Sequence, residues 1–332
     1  LYETVYTFLN QPDYNDGMEP YTDFLRLLVA LLKNGVVTPD DRDLAALAYY
    51  LNDEQRQLLG RLALAAERRD DAAIAAEIGE DQYQREKARR FGAHNPELMD
   101  VPFWRFMVQR EWPAYQARLQ FDPAYRQYMA EARARHERQQ AGAAEDDVAA
   151  LYFSYGPPVW CFKRFGMSLT RLPDGRALFI AGEHEDFYDY DFQIYNDVIV
   201  VDHALHVTIY GYPAELFPPT DFHSATLVDD TKVYLVGNLG YPEARKPGET
   251  QVYRLDTSSM QISAVATSGT KPGWISRHHA EYDTQRNAIK VSGGKVWTGD
   301  GYDDNQHAYR LDLATMTWSL HDPASDLAVP NG

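Results

Sequence analysis

The hydrophobic period changes near the middle of the chain. Up to about residue 138, apolar side chains recur every three or four positions, the spacing of a helix face. Beyond about residue 155 they fall in short strand-like runs. Over 20–33, Phe24, Leu27, Leu28, Leu31 and Leu32 share one face, and Gly35 follows as a stop. Thr38-Pro39-Asp40-Asp41 joins a cap, a first-turn proline and acids at the positive end of the helix dipole. Leu44, Leu47, Ala48 and Leu51 then continue at helical spacing. Further helices are expected over 53–68 and 71–90. Pro102 opens a segment carrying Phe103, Phe106 and Met107, and Pro113 should break it. Asp122-Pro123 starts a last helix to about 138, with Tyr125, Tyr128, Met129 and Ala132 inward. The pattern divides the chain into a helical domain (1–140), a polar linker (141–152) and a strand-rich domain (153–332).

The strand-rich part repeats three times. Arg164-FGMSLTRLPDGRALFIAGE leads to Tyr195-NDVIVVD; Asp221-FHSATLVDDTKVYLVGN leads to Thr250-QVYRLD; Arg277-HHAEYDTQRNAIKVSGGK leads to Gln306-HAYRLDLATMTW. Gly166, His223 and His279 align at intervals of 57 and 56 residues, and the closing Asp202, Asp256 and Asp312 at 54 and 56. A fixed period of this size with two strand-like runs per copy is the signature of propeller blades. The copies resemble the kelch or galactose-oxidase-like family over roughly residues 155–325. The residues that carry the resemblance are His223-Ser-Ala-Thr-Leu, Val233-Tyr-Leu-Val-Gly, Tyr195-Asn-Asp-Val, Tyr253-Arg-Leu-Asp256, Tyr309-Arg-Leu-Asp312 and Trp318. Only the third copy has the double glycine, Gly293-Gly294, and the closing Trp; the others have Gly182-Glu183 and Gly237-Asn238. The resemblance implies an α+β chain in which an all-helical domain precedes an incomplete propeller of three four-stranded blades. Residues 151–162 around Trp160 could add part of a fourth. Three blades do not close a ring, because propellers typically use four to eight. Open edges invite cover from the helical domain or pairing of two chains as three plus three. Separately, Leu62–Ile78 resembles one ankyrin helix pair, but it lacks a T-P-L-H-type start and a second copy, so a generic helical bundle is expected there.

Charge narrows the partners. The 332 residues carry a formal charge of -17, which disfavours nucleic acid and suits a basic protein. No apolar run approaches the ~18 residues of a membrane helix. The single cysteine, Cys161, allows no intrachain disulfide and fits a reducing, cytoplasmic address. The chain opens at Leu1 with no leader pattern, so it is read as either processed or internal to a longer protein.

The most unusual segment is Glu183-HEDFYDYDFQIYND. Rigid aromatic loops around Tyr212 and Tyr241 add to it. The expected partner-binding set is Glu183, His184, Glu185, Asp186, Tyr188, Asp189, Tyr190, Asp191, Tyr212 and Tyr241. Its oxygens could hold calcium, although the spacing of known calcium loops is absent; no cofactor or resident metal is assigned. His223 and His279, at equivalent repeat positions, are expected to bridge strands. No nucleophile-elbow, phosphate-loop or dinucleotide motif appears, and one cysteine is no evidence for a copper-radical tyrosine linkage. The expectation is a non-catalytic interaction module for a basic protein partner, with an accessory or immunity-type role, or one that homodimerises through its open edges. The alternative is an enzyme acting on a carbohydrate or small metabolite, with His184, Glu185, Asp186 and His223 as acid–base groups.

Overall fold

The computed structural model describes residues 78–140, 156–185, 189, 191–204 and 206–321. The chain divides into two compact units, Leu1–Glu77 and Ile78–Gly332, and every described residue belongs to the second. The helices expected before residue 77 and the 141–152 linker lie outside the described residues. The division does not fall near residue 140: residues 78–140 are built into the strand-rich unit, for the reasons given below.

Four α-helices precede the sheets among the described residues: α1 (Glu80–Glu86), α2 (Pro102–Arg110), α3 (Ala114–Phe121) and α4 (Pro123–Gln140), with the short strand β1 (Glu97–Leu98) between α1 and α2. Pro102 starts α2, where its missing N–H costs nothing, and Glu111 ends it in the left-handed conformation. Pro113 stands immediately before α3, and Asp122 separates α3 from α4, as the sequence expects. Phe103, Trp104, Phe106 and Met107 are buried rather than offered to a partner.

Three antiparallel four-stranded meanders follow, one per sequence repeat. The first comprises β2 (Ser168–Arg171) and β3 (Ala177–Ile180). A small hairpin of β4 (Glu183–His184) and β5 (Gln193–Ile194) interrupts it before β6 (Val198–Val201) and β7 (Val207–Gly211). The second is β8 (Ser224–Val228), β9 (Lys232–Val236), β10 (Val252–Asp256) and β11 (Ile262–Ala264). Then come β12 (Ser268–Gly269) and β13 (Trp274–Ser276), and the third meander of β14 (His279–Asp283), β15 (Ala288–Ser292), β18 (Ala308–Asp312) and β19 (Thr317–His321). Strands β16 (Lys295–Trp297) and β17 (Tyr302–Asp304) form a separate three-stranded sheet with β13. The architecture is mixed α+β, with no fourth four-stranded sheet among the described residues. Residues 156–165 form no strand; there Trp160 stacks on Trp104, with ring centroids 5.0 Å apart.

Alternation along the strands builds the core. Leu178, Ile180, Val198 and Val200 of the first sheet meet Val233, Leu235, Tyr253 and Leu255 of the second. The other side of the second sheet, with Tyr234, Val236 and Val252, meets Ile289, Val291, Tyr309 and Leu311 of the third. The end faces differ. The cross-strand row on the first sheet's far face is Leu169, Phe179, Ile199 and Ile209, and Phe162 packs edge-on against Phe179. The matching row on the third sheet is Glu281, Lys290, Arg310 and Ser319, a solvated face.

The segment before the sheets holds their outer edges. β1 adds a fifth strand beside β7. Two residues earlier, the Asn95 side chain accepts from the Ile262 amide at 2.9 Å and donates to the Ile262 carbonyl at 2.7 Å, imitating a strand backbone along β11. Gly92 allows the approach: a Cβ there would lie 2.5 Å from the Gly211 backbone. The third outer edge is covered by β12, parallel to β19.

Candidate functional site

In an antiparallel meander the second-to-third turn and the exit from the fourth strand emerge at the same end. The loops 181–197, 237–251 and 293–307 and the connections 212–223 and 265–278 therefore gather at one end of the three sheets. The opposite end is closed by aspartates. Asp202, Asp256 and Asp312 each turn a carboxylate oxygen onto backbone N–H groups two to four residues on, at 2.8–3.0 Å. Those hydrogen bonds hold all three carboxyls below the usual aspartate range, against a small opposing effect of burial that for Asp202 is the larger single contribution. The repeated aspartate is thus a turn residue.

The first strands are threaded together near the loop end. Gly166, Phe222 and Arg277 all have positive φ (60°, 46° and 58°), and the Phe222 N–H donates to Gly166 as the Arg277 N–H does to Phe222. One residue later, His223 Nε2 meets Ser168 Oγ at 2.8 Å and His278 Nε2 meets Ser224 Oγ at 2.9 Å. The partner of His223 in the repeat is therefore His278, not His279, which is exposed on the opposite face of β14. A shift of one residue on a strand exchanges faces. Burial pushes His223 down to about 3 and His278 down to about 4, so both are neutral bridges at neutral pH. Of the expected acid–base quartet, His223 is committed to Ser168, His184 and Glu185 lie together on the β4–β5 hairpin, and Asp186 lies outside the described residues.

The β4–β5 hairpin carries the acidic segment. Glu183 exchanges two backbone hydrogen bonds with Phe165, both 2.8 Å, and His184 pairs with Gln193. His184, Glu185 and Asp191 converge: one ligand-type atom from each lies within 4.8 Å of the others. His184 and Asp191 are buried, whereas the Glu185 side chain is 45% exposed. Burial is the largest influence on His184 and holds its imidazole below the usual range, opposed by Asp191. Arg118 lies 3.8 Å from Asp191. Asp186, Tyr188 and Tyr190 lie outside the described residues. Asp189 is half-buried and turns its carbonyl to the Phe192 amide.

Tyr212 is not a surface residue. It is fully buried between the first two sheets, with its hydroxyl donating to the Met260 carbonyl at 2.8 Å, so it cannot touch a partner. Tyr241 is half-buried; its hydroxyl accepts from the Ile194 amide at 2.9 Å and its ring meets Phe192 edge-on. It braces β5. A search of protein families and a search of curated proteins both find no match to this chain.

Two polar assemblies under the loops escaped the sequence pattern. Arg164 pairs with both oxygens of Asp197, donates to the Cys161 and Ala181 carbonyls and lies 3.4 Å from the Tyr195 ring centroid; Trp160 Nε1 donates to Asp197 at 2.9 Å. Cys161 is buried there, its thiol pushed up to about 12 by burial, which leaves it unreactive. The second surrounds a buried carboxyl. Asp221 is fully buried; its Oδ1 accepts from the Gly240 amide at 2.6 Å and its Oδ2 has no hydrogen-bond partner. Burial raises the Asp221 carboxyl. Neither assembly has a sequence signal beyond isolated polar residues in apolar runs.

Proposed function

We propose that this chain is a non-catalytic interaction protein: a kelch-like partial propeller of three blades whose loop end binds a basic protein partner. The supporting observation is how charge is distributed over that end. Several groups an enzyme could use are committed to internal contacts: His223 to Ser168, Asp197 to Arg164 and Asp221 to Gly240. Exposed acids on these loops include Glu243, Asp300 and Asp303, the last two adjoining the exposed Tyr302 in the chain. Arg245 sits over the Trp297 and Tyr302 rings, at 5.5 and 5.3 Å, and stiffens that surface. An exposed tyrosine next to Asp300 and Asp303 on braced loops suits recognition of a cationic surface. With Tyr212 and Asp191 buried, the partner-binding set shifts toward the 237–251 and 293–307 loops.

The Asp221 carboxyl, raised by burial, is the observation that favours an enzyme, since a carboxyl raised in this way can act as a general acid. Asp221 is fully buried, which shields it from substrate and favours a structural role. The test is affinity capture with the full chain at low and high salt. The interaction reading expects a stoichiometric protein that elutes as salt rises; a chain that retains no protein at low salt contradicts it.

A further inference from the structure

The β4–β5 hairpin carries a group that interaction with a protein does not use. His184 is 6% exposed, and its Nε2 has no hydrogen-bond partner although it lies 3.5 Å from Glu185 Oε1. The imidazole also hydrogen-bonds the Lys163 backbone carbonyl, which takes the Nδ1 hydrogen and leaves the Nε2 lone pair open beside the two carboxylates. A buried acceptor left without a donor costs free energy unless something fills the position. A ring nitrogen held by a backbone carbonyl, with its other nitrogen facing carboxylates, is the arrangement in which metal-binding histidines are oriented.

We propose that His184 Nε2, Glu185 and Asp191 bind one divalent first-row transition-metal ion of the zinc class. An imidazole nitrogen with two carboxylates suits zinc better than calcium, which takes six to eight oxygens. The three ligand atoms lie within 4.8 Å of one another, against ~3.4 Å in a tetrahedral site with bonds of about 2.0–2.1 Å. The difference is closed by Glu185, whose half-exposed side chain can swing inward. Arg164 is paired with Asp197; Arg118, which donates to the Pro157 carbonyl, lies 3.8 Å from Asp191 and would share that carboxylate with the ion. Three protein ligands leave a fourth position for water, and the ion would tie the hairpin's two strands to its turn.

The test uses the full chain, stripped with chelator and titrated calorimetrically with zinc chloride, and separately with calcium chloride. One zinc per chain is expected. Loss of an outer-shell partner typically costs about 10–100-fold in metal affinity, so Glu185→Gln should weaken zinc by at least that much. His184→Gln should abolish binding, while His206→Gln, at an exposed histidine, should leave it unchanged. Glu185 is exposed enough that its variant should melt as the parent does, which keeps the test decisive even where His184→Gln misfolds. Cobalt in place of zinc should give an absorption spectrum that Glu185→Gln alters. No zinc binding, zinc binding that Glu185→Gln leaves unchanged, or calcium bound as tightly as zinc would overturn the proposal.

Discussion

At the scale of single residues, buried polar groups make pH a structural variable. His223 and His278 titrate near 3 and 4 in the folded chain against about 6.5 unfolded, because burial disfavours their charged forms. Their stabilising contribution is therefore complete above about pH 6.5 and is lost as pH falls toward 4 and 3. In that window each histidine steepens the fall by up to about 1.4 kcal/mol per pH unit. Denaturant midpoints at pH 7, 5.5 and 4.5 should drop, and His278→Gln should flatten the drop; parallel curves would refute the assignment. The turn aspartates add a second loss below about pH 4, since their folded carboxyls sit below the unfolded value. Tyr212→Phe should cost about 1 kcal/mol for its hydrogen bond to Met260, and Tyr212→Ala about 3–5 kcal/mol for the emptied core, read by denaturant unfolding. The repeat made the aspartates legible at exact positions. It placed the third histidine one residue late, because two adjacent histidines satisfy the same spacing and only strand register separates them. The Arg164–Asp197–Trp160 assembly was invisible, because its members lie far apart in the chain.

At the scale of elements, strands are written in alternation, whereas edge cover is not. Each meander follows from its apolar runs and turn residues. Nothing in residues 92–98 marks them as the piece that fastens two sheets. Helical periodicity runs to about residue 138 and so predicts a domain boundary near residue 140. Long-range pairing of β1 with β7, and of Asn95 with Ile262, moves residues 78–140 into the sheet unit. Asn95→Ala should free the β11 edge, at about 1 kcal/mol for each of the two lost hydrogen bonds. Hydrogen exchange should show the Ile262 amide losing protection while Val233 in the sheet centre keeps it; unchanged exchange at Ile262 would show that the Asn95 contact is dispensable.

For the whole molecule, the end faces decide whether the stack continues. The first sheet's far face is apolar and its row ends in buried Ile199 and Ile209, whereas the third presents Glu281, Lys290, Arg310 and Ser319. A polar outer face is how a stack of repeated units terminates in water. Light scattering should accordingly give the mass of one chain, 37.9 kDa, up to high concentration; a dimer that Lys290→Ala and Arg310→Ala dissolve would show that face to be an interface after all. The most direct test of the account as a whole compares capture from native lysate by three forms of the chain. These are the parent, a loop-end variant carrying Glu243→Gln, Asp300→Asn and Asp303→Asn, and an end-face control carrying Glu281→Gln. The account predicts one stoichiometric basic partner, retained by parent and control and lost from the loop-end variant and at high salt. Equal retention by all three forms would contradict it.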